Sequence, residues 1–236
     1  MYQPEQHSYK FTSLLNDIEQ GLIKIPQFQR NFVWSKEQSA KLMDSIIKGY
    51  PIGTFILWKT KERLRSIRNI GGVKLPETPK GDFIQYVLDG QQRMTSLYAS
   101  LKGVTIERET KNEDFSEIYL DLLASEEEDI VIIDIADKES GSFIKLTDLL
   151  NGGLSLAKKF DEKYHDKLDE YYKRIATYDF PAILIKNSSI DIATDIFTRI
   201  NIGGKTLSVF EIMVAKTFDN ERDFDLSEKY DELISE

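Results

Sequence analysis

The sequence predicts an α+β fold, and three observations support this class. Short apolar runs, such as FILW at 55–58 and FIQYVLD at 83–89, are typical of buried strands. Between such runs, apolar residues recur at intervals of three and four, which predicts amphipathic helices. The two kinds of segment do not alternate strictly, so a regular βαβ arrangement is not indicated. With 236 residues, the chain can bury a substantial core as one large domain or two small ones.

Helices are predicted from apolar spacing and strands from short apolar runs bounded by Gly, Pro or polar residues. We expect helices over 12–20, 36–48, 91–102, 154–178, 190–200 and 208–218, and the first part of another over 225–236. We expect strands at 22–25, 55–58, 83–89 and 181–186, further strands in IYLDLL and DIVIIDI, and a Gly- and Pro-rich loop over 71–82.

Two helix starts carry the pattern of a capping box, in which a Ser at the cap and a Gln or Glu three residues later satisfy each other's backbone N–H groups. Ser35 with Gln38 marks the start of the second helix, and Ser208 with Glu211 marks the start of the helix at 208–218.

Composition excludes several classes of function. The chain has no cysteine, which excludes disulfides, thiolate nucleophiles and zinc–thiolate sites. The histidines are His7 and His165, both in polar surroundings, so a histidine-dependent nuclease is not expected within this chain. No stretch approaches the roughly 20 apolar residues of a membrane span, and no secretory signal is recognisable. We therefore expect a cytoplasmic protein without a membrane partner.

The net charge of −9 is unevenly distributed. Of the 40 acidic and 31 basic residues, 13 and 3 respectively lie in residues 107–139, a balance of −10, and the remaining chain balances to +1. We interpret the acidic stretch as a solvated excursion rather than a patch for binding a partner. Attraction of the whole protein to DNA is not predicted, but a local DNA-binding face stays open.

The segment VLDGQQR has polar residues that two interpretations explain differently. Asp89 is a natural helix N-cap with Gln92 as its capping-box partner. This interpretation leaves Gln91 and Arg93 unexplained, because a cation in the first turn opposes the helix macrodipole. Gly90 keeps side-chain bulk away from the first backbone N–H groups, a geometry that binds phosphate. Both interpretations of the segment, a helix cap and a phosphate-binding site, therefore stay open.

Two further segments combine apolar anchors with polar residues. In IPQFQRNFVW, Gln29 and Arg30 lie between aromatic residues, either simply exposed or presenting an amide and a guanidinium to phosphate oxygens. In FTRINIGGKTL, Arg199 and Asn201 lie at a helix end, either as a favourable cation on the dipole or as part of a pocket. GGKT is not a P-loop, because position 199 is Arg where the motif needs Gly.

These segments, with GYPIGTFILW, occur in the same order in the DGQQR-motif proteins. Over residues 10–218, the chain resembles the N-terminal domain of GmrSD-type restriction systems, which is distantly related to ParB and sulfiredoxin. The resemblance implies a ParB/sulfiredoxin-like mixed-sheet core with flanking helices and a C-terminal helical part. It divides the chain into a ParB-like portion over 1–106, an acidic insert over 107–141 within the same domain, and a helical portion over 142–236 that we expect to continue into a further domain.

The resemblance also implies a function. It implies binding of a nucleoside triphosphate, usually with Mg²⁺ and often with hydrolysis, in a DNA-restriction or phage-defence protein that regulates a nuclease domain or subunit outside this chain. Gln92 and Arg93 would contact the triphosphate, and Asp89 would hold Mg²⁺ or orient the attacking water. The other nucleotide-binding positions that it implies are Gln29, Arg30, Gly53, Thr54, Gly90, Gln91, Arg199 and Asn201.

The physical expectation behind this assignment is that Arg30, Arg93 and Arg199 converge on one pocket for a polyphosphate. Phosphoryl transfer depends on positioning and charge neutralisation, which such a set supplies. Two alternatives stay open: a nucleotide-gated module that binds DNA or a partner without hydrolysis, and a DNA-reading domain without nucleotide. The sequence has no pattern that indicates the nucleotide base, the DNA modification or the oligomeric state, and a homo-oligomer is one of the open states.

Overall fold

A computed structural model describes residues 4–26, 31–64, 69–70, 73–108, 111–200, 213–214, 217, 224 and 226–235. The fold is α+β, as the sequence predicts, with a mixed five-stranded sheet, smaller sheets and flanking helices.

The helices are α1 (Phe11–Glu19), α2 (Lys36–Ile47), α3 (Gln91–Lys102), α4 (Leu146–Asn151), α5 (Gly153–Ala157), α6 (His165–Thr177), α7 (Ile190–Ile200) and α8 (Leu226–Ser235). The strands are β1 (Glu5–Tyr9), β2 (Ile23–Lys24), β3 (Phe55–Thr60), β4 (Asn69–Ile70), β5 (Val73–Lys74), β6 (Ile84–Asp89), β7 (Thr105–Ile106), β8 (Glu113–Asp114), β9 (Tyr119–Asp121), β10 (Val131–Ile132), β11 (Phe143–Lys145) and β12 (Phe180–Lys186).

The main sheet has the strand order β1-β12-β3-β6-β2. β12 runs parallel to β3, and β6 runs antiparallel to β3. The end of β6 therefore lies beside the start of β3, where Asp89 pairs with Ile56. This arrangement places the first turn of α3 next to the loop that leads into β3.

The two faces of the sheet are covered by different helices. On one face, α1, α2, α3 and α6 form the larger core with the inward residues of β3 and β12, such as Leu57 and Leu184. On the other face, Ala193 and Phe197 of α7 pack against Trp58 of β3 and Tyr86 of β6.

Most predicted elements are confirmed to within a few residues at each end. The capping box of α2 is present: the Ser35 hydroxyl accepts from the Gln38 N–H, and the Gln38 side chain accepts from the Ser35 N–H. Met43 and Ile46 of the same helix are buried, as their spacing predicts. The predicted start of a C-terminal helix corresponds to α8.

The single helix predicted over 154–178 is wrong. The chain forms α5, then a turn, a short 3₁₀ segment (Glu162–Tyr164) and α6. The first helix ends at Ala157, and the chain is non-helical from Lys158 to Asp161, where φ is −58° and ψ is 143°. Asp is unfavourable in helix interiors and is more common beside them, which fits its position just before the 3₁₀ segment.

Two other predictions differ from the structure in part. The loop predicted over 71–82 includes β5, which pairs with β4 as a short hairpin. The helix predicted over 208–218, with its Ser208–Glu211 capping box, lies largely outside the described residues, although positions 213, 214 and 217 are helical.

The acidic stretch is not a solvated excursion, and that interpretation is wrong. Phe115, Leu120 and Val131 from this stretch are buried in the larger core. The buried Asp44 carboxylate of α2 accepts from the N–H groups of Ile130 and Val131, at 2.7 and 3.1 Å. The apolar residues of the stretch therefore belong to the core, while most of its acidic side chains stay at the surface.

Among the described residues, we find no helix with the length and apolar character needed to cross a membrane.

Candidate functional site

The first turn of α3 is the centre of the candidate site. Asp89 is the last residue of β6, and Gly90, with φ of +89°, is the residue that precedes the helix. No side chain caps this helix start. The predicted cap of Asp89 with Gln92 is therefore wrong. Asp89 is held in the sheet by its pairing with Ile56, and only Gly takes the left-handed conformation at Gly90 without strain.

Arg93 in the same turn is held by the protein itself. Its guanidinium donates to the carbonyl of Ile52 at 2.8 Å, to the carbonyl of Thr54 at 3.2 Å and to the Asp89 carboxylate at 3.2 Å. It also lies 5.3 Å from the centroid of the Phe55 ring. The side chain is 18% exposed. A cation in the first turn is tolerated here because a carboxylate four residues earlier and two carbonyl dipoles face it.

Two glycines make room for this guanidinium. A Cβ on Gly53, where φ is +83°, would lie 2.5 Å from Nη1 of Arg93. A Cβ on Gly90 would lie 2.5 Å from the Phe55 ring and 3.2 Å from Nη2 of Arg93. Any side chain at either position would displace Arg93 or Phe55. Gly53 therefore shapes the site through its lack of a side chain.

Gln92 holds a second loop against the start of α3. Its Oε1 accepts from the N–H groups of Val33 and Trp34, at 2.8 and 3.3 Å. Its Nε2 donates to the Asn31 carbonyl at 3.1 Å and to Oε1 of Gln91 at 3.2 Å. Both glutamine side chains are buried. The end of the IPQFQRNFVW segment therefore lies directly beside the DGQQR segment, across about 60 residues of sequence.

The structure brings together part of the predicted set. The members that meet around the first turn of α3 are Gly53, Thr54, Asp89, Gly90, Gln91, Gln92 and Arg93. Gln29, Arg30 and Asn201 lie outside the described residues. The convergence of Arg30, Arg93 and Arg199 therefore stays a prediction.

Arg199 is placed differently from the other described members. It lies in the last turn of α7, a helix that packs on the opposite face of the sheet from α3. Its side chain is 77% exposed, and Nε donates to the Asp195 carboxylate at 2.9 Å. This pair is an exposed intrahelical ion pair, which leaves the guanidinium accessible to a ligand.

A magnesium ion in this site would have few protein ligands. Within the part of the chain that the structure describes, no three Asp, Glu or His side chains cluster in a way that could hold a metal ion. Mg²⁺ with nucleotides is commonly bound through one or two carboxylates together with phosphate oxygens and water. Asp89, at 37% side-chain exposure, fits this limited role as a single carboxylate at the helix start.

The sequence analysis missed Arg108, which contacts the loop at 31–34, and Glu113, which pairs with Arg108. Arg108 donates to the carbonyls of Phe32, at 3.2 Å, and Trp34, and its guanidinium lies 5.4 Å from the centroid of the Phe32 ring. Glu113 pairs with Arg108 and accepts from the backbone N–H of Lys36. The only sequence signal was that Arg108 is one of three basic residues within the acidic stretch.

The sequence matches a known protein family over most of its length. The chain belongs to the family described as the N-terminal domain of the GmrSD restriction endonuclease, which matches residues 11–218. The resemblance seen in the sequence motifs is thereby confirmed. The chain is also similar to an uncharacterized protein of Methanocaldococcus jannaschii. The two are 25% identical over 236 aligned residues, which cover 87% of this chain and 40% of that protein. The chain thus spans less than half the length of this relative.

Proposed function

We propose that this chain binds a nucleoside triphosphate with Mg²⁺ at the first turn of α3 and hydrolyses it. Binding and hydrolysis would regulate a nuclease domain or subunit in a cytoplasmic protein that restricts foreign DNA. The family description, a restriction endonuclease, supports the wider role. The nucleotide site itself is supported by the geometry around α3.

The observation that carries the proposal is that two backbone loops are fixed at a helix start that no side chain caps. Gln92 fixes the loop at 31–34, and Arg93 fixes the loop at 52–54. Backbone N–H groups at such a helix start, together with the positive end of the dipole, favour phosphate. Gly90 removes side-chain bulk from this approach.

In this proposal, the residues of DGQQR have different tasks. Gln92 and Arg93 position the loops, and the Arg93 guanidinium adds positive charge next to the polyphosphate. Arg199, exposed and accessible, would close the pocket from α7. Asp89 would hold Mg²⁺, which when bound neutralises charge on the phosphate oxygens. Preorganised charges of this kind stabilise phosphoryl transfer without a covalent intermediate.

Binding is tested by thermal unfolding with each of the four nucleoside triphosphates, with and without Mg²⁺. Ligand at about 100 times its Kd stabilises the folded protein by about 2.7 kcal/mol. For a chain of this size, that raises Tm by roughly 5–10 °C. We expect such a rise with at least one nucleotide. No rise with any nucleotide at millimolar concentration would contradict the proposal.

Arg199→Ala tests the pocket with little effect on the fold, because within the described part of the chain Arg199 pairs with Asp195 at the surface of the same helix. Losing a charged hydrogen bond to phosphate weakens binding by about tenfold or more. Lys173→Ala is the matched control, since Lys173 forms a similarly exposed pair with Asp169 on α6. Equal affinities of both variants would remove Arg199 from the site.

Hydrolysis is tested by phosphate release from the unaltered chain and from Asp89→Asn. The amide keeps an oxygen for Arg93 but removes the charge that would hold Mg²⁺. We expect phosphate release to fall roughly 100-fold, the scale at which single acid–base or charged groups contribute. Release at the full rate in Asp89→Asn would exclude Asp89 from catalysis.

One observation favours a second candidate, a nucleotide-gated module without turnover. The Asp89 carboxylate is already bound by Arg93, and the described residues include no group of three His, Asp or Glu side chains that could hold a catalytic metal ion. Such a module would bind DNA or a partner in one nucleotide state. A rise in Tm with nucleotide but no phosphate release would support it over the hydrolysing enzyme.

A further inference from the structure

Arg108 and Gln92 together bind every residue of the loop at 31–34. Gln92 donates to the Asn31 carbonyl and accepts from the N–H groups of Val33 and Trp34. Arg108 donates to the carbonyls of Phe32 and Trp34. The loop is therefore held from the DGQQR helix by one side chain and from the β7–β8 hairpin by the other.

The contacts of Arg108 repeat those of Arg93 at the other loop. Each guanidinium donates to two loop carbonyls that are two residues apart, pairs with one carboxylate and lies over one phenylalanine ring. The partners are Ile52, Thr54, Asp89 and Phe55 for Arg93, and Phe32, Trp34, Glu113 and Phe32 for Arg108. Such a planar fork satisfies two carbonyls at once, which a Lys ammonium does less well.

We propose that Arg108, oriented by Glu113, is a positioning residue of the nucleotide site. It holds the loop at 31–34 in its binding conformation, so that affinity for nucleotide depends on the acidic stretch. We call the pair of Arg108 and Glu113 the latch. Glu113 also accepts from the N–H of Lys36, at 3.4 Å, which connects the latch to the first turn of α2. A loop that is ordered beforehand loses less conformational entropy when ligand binds. This inference rests on the proposed nucleotide site.

The latch itself can be tested without any nucleotide, through tryptophan fluorescence. The chain has two tryptophans: Trp34 in the loop, which is partly buried, and Trp58, which is 0% exposed. Quenching by acrylamide therefore reports on Trp34. We expect Arg108→Ala to raise the quenching constant by about twofold or more, because the loop opens locally. Arg108→Lys should raise it as well, since it keeps the charge but loses the fork.

Arg174→Ala is the matched control variant. Arg174 also donates to a backbone carbonyl, that of Ile47 at 2.8 Å, and pairs with a carboxylate, that of Glu170. It lies on α6, and its partners among the described residues, Ile47, Glu170 and Glu126, are all outside the loop at 31–34. We expect its Trp34 quenching and its nucleotide affinity to equal those of the unaltered chain, even where its Tm falls.

Nucleotide affinity is then measured for the same three variants by titration with the Mg²⁺–nucleoside triphosphate that gives the largest rise in Tm. We expect Kd to increase about tenfold in Arg108→Ala, equivalent to about 1.4 kcal/mol. Unchanged Trp34 quenching in Arg108→Ala would overturn the latch. Raised quenching with unchanged Kd would overturn its role in the site. If the unaltered chain binds no nucleotide, the proposed function fails, while the quenching result still decides whether the latch exists.

Discussion

At the scale of single residues, the site depends on where side chains are missing as much as on where they are present. Arg93 reaches the carbonyls of Ile52 and Thr54 because Gly53 between them has no Cβ. The guanidinium charge is then balanced by the Asp89 carboxylate and by the two carbonyl dipoles of the loop at 52–54. Arg93 therefore acts first as a structural residue, and in the proposed site it would contribute the positive charge that it keeps beside the helix start.

Gly53→Ala is expected to destabilise the protein by two effects. The left-handed φ of +83° costs a residue with a Cβ about 1–2 kcal/mol, and contact with Arg93 adds about 1–3 kcal/mol of overpacking. Gly81→Ala is the control, because its φ is +89° and nothing lies within 4 Å of its Cβ position. Urea denaturation measures the loss in free energy of unfolding for Gly53→Ala and for Gly81→Ala, and we expect the first loss to be larger. Equal losses would show that Arg93 does not occupy the space beside Gly53.

At the scale of elements, local patterns were predictable and contacts between distant segments were not. The capping box of Ser35 and Gln38 involves residues three apart, and the sequence predicted it correctly. Gln92 offered the same local pattern with Asp89, but its amide binds the loop 59 residues away at Val33. The sequence contains no signal for that choice, because it is decided by how α3 and α2 pack together.

The same limit explains what was missed or misassigned elsewhere. The helix predicted through Asp161 followed apolar spacing, but the chain leaves the helical conformation between Ala157 and Glu162. Arg108 was missed because its partners, Phe32 and Trp34, are more than 70 residues away. The acidic stretch was misinterpreted because charge counts outweighed buried residues such as Phe115.

Ser35→Ala is expected to reduce the free energy of unfolding by about 1 kcal/mol, because it removes the acceptor for the Gln38 N–H in the first turn of α2. Ser45→Ala in the same helix is the control, since that hydroxyl donates to the Lys41 carbonyl within the helix and caps nothing. Urea denaturation at neutral pH compares them. A loss in Ser45→Ala as large as in Ser35→Ala would contradict the role of the cap.

At the scale of the whole molecule, the larger core contains tyrosines whose ionisation opposes folding. Burial raises the pKa of Tyr9 and of Tyr171 to about 12, from an ordinary value of 10.0. Below about pH 10, the folded and unfolded states both keep these protons and stability is unaffected. Above it, the unfolded state releases protons first, so the free energy of unfolding falls as pH rises toward 12.

Tyr171→Phe should weaken this alkaline loss of stability. Among the described residues, none forms a hydrogen bond with the Tyr171 hydroxyl, so the variant removes an ionisable group and leaves the packing of the ring in place. We expect near-unchanged stability at pH 7 and a shallower fall between about pH 10 and 12, since one pKa unit corresponds to about 1.4 kcal/mol. Urea denaturation across this range gives the slope. An unchanged slope would show that Tyr171 ionises as freely in the folded protein as in the unfolded chain.

The proposed function requires a nucleotide that binds where the loops at 31–34 and 52–54 meet the first turn of α3, with the end of α7 closing the site. Hydrogen exchange with mass spectrometry, with and without Mg²⁺ and the nucleotide that gives the largest rise in Tm, tests this most directly. We predict slower exchange confined to residues 31–34, 52–54 and 90–94 and to the end of α7. Protection at the opposite end of the main sheet instead, around Lys59 and Gln85, or no change in exchange at any segment, would contradict it.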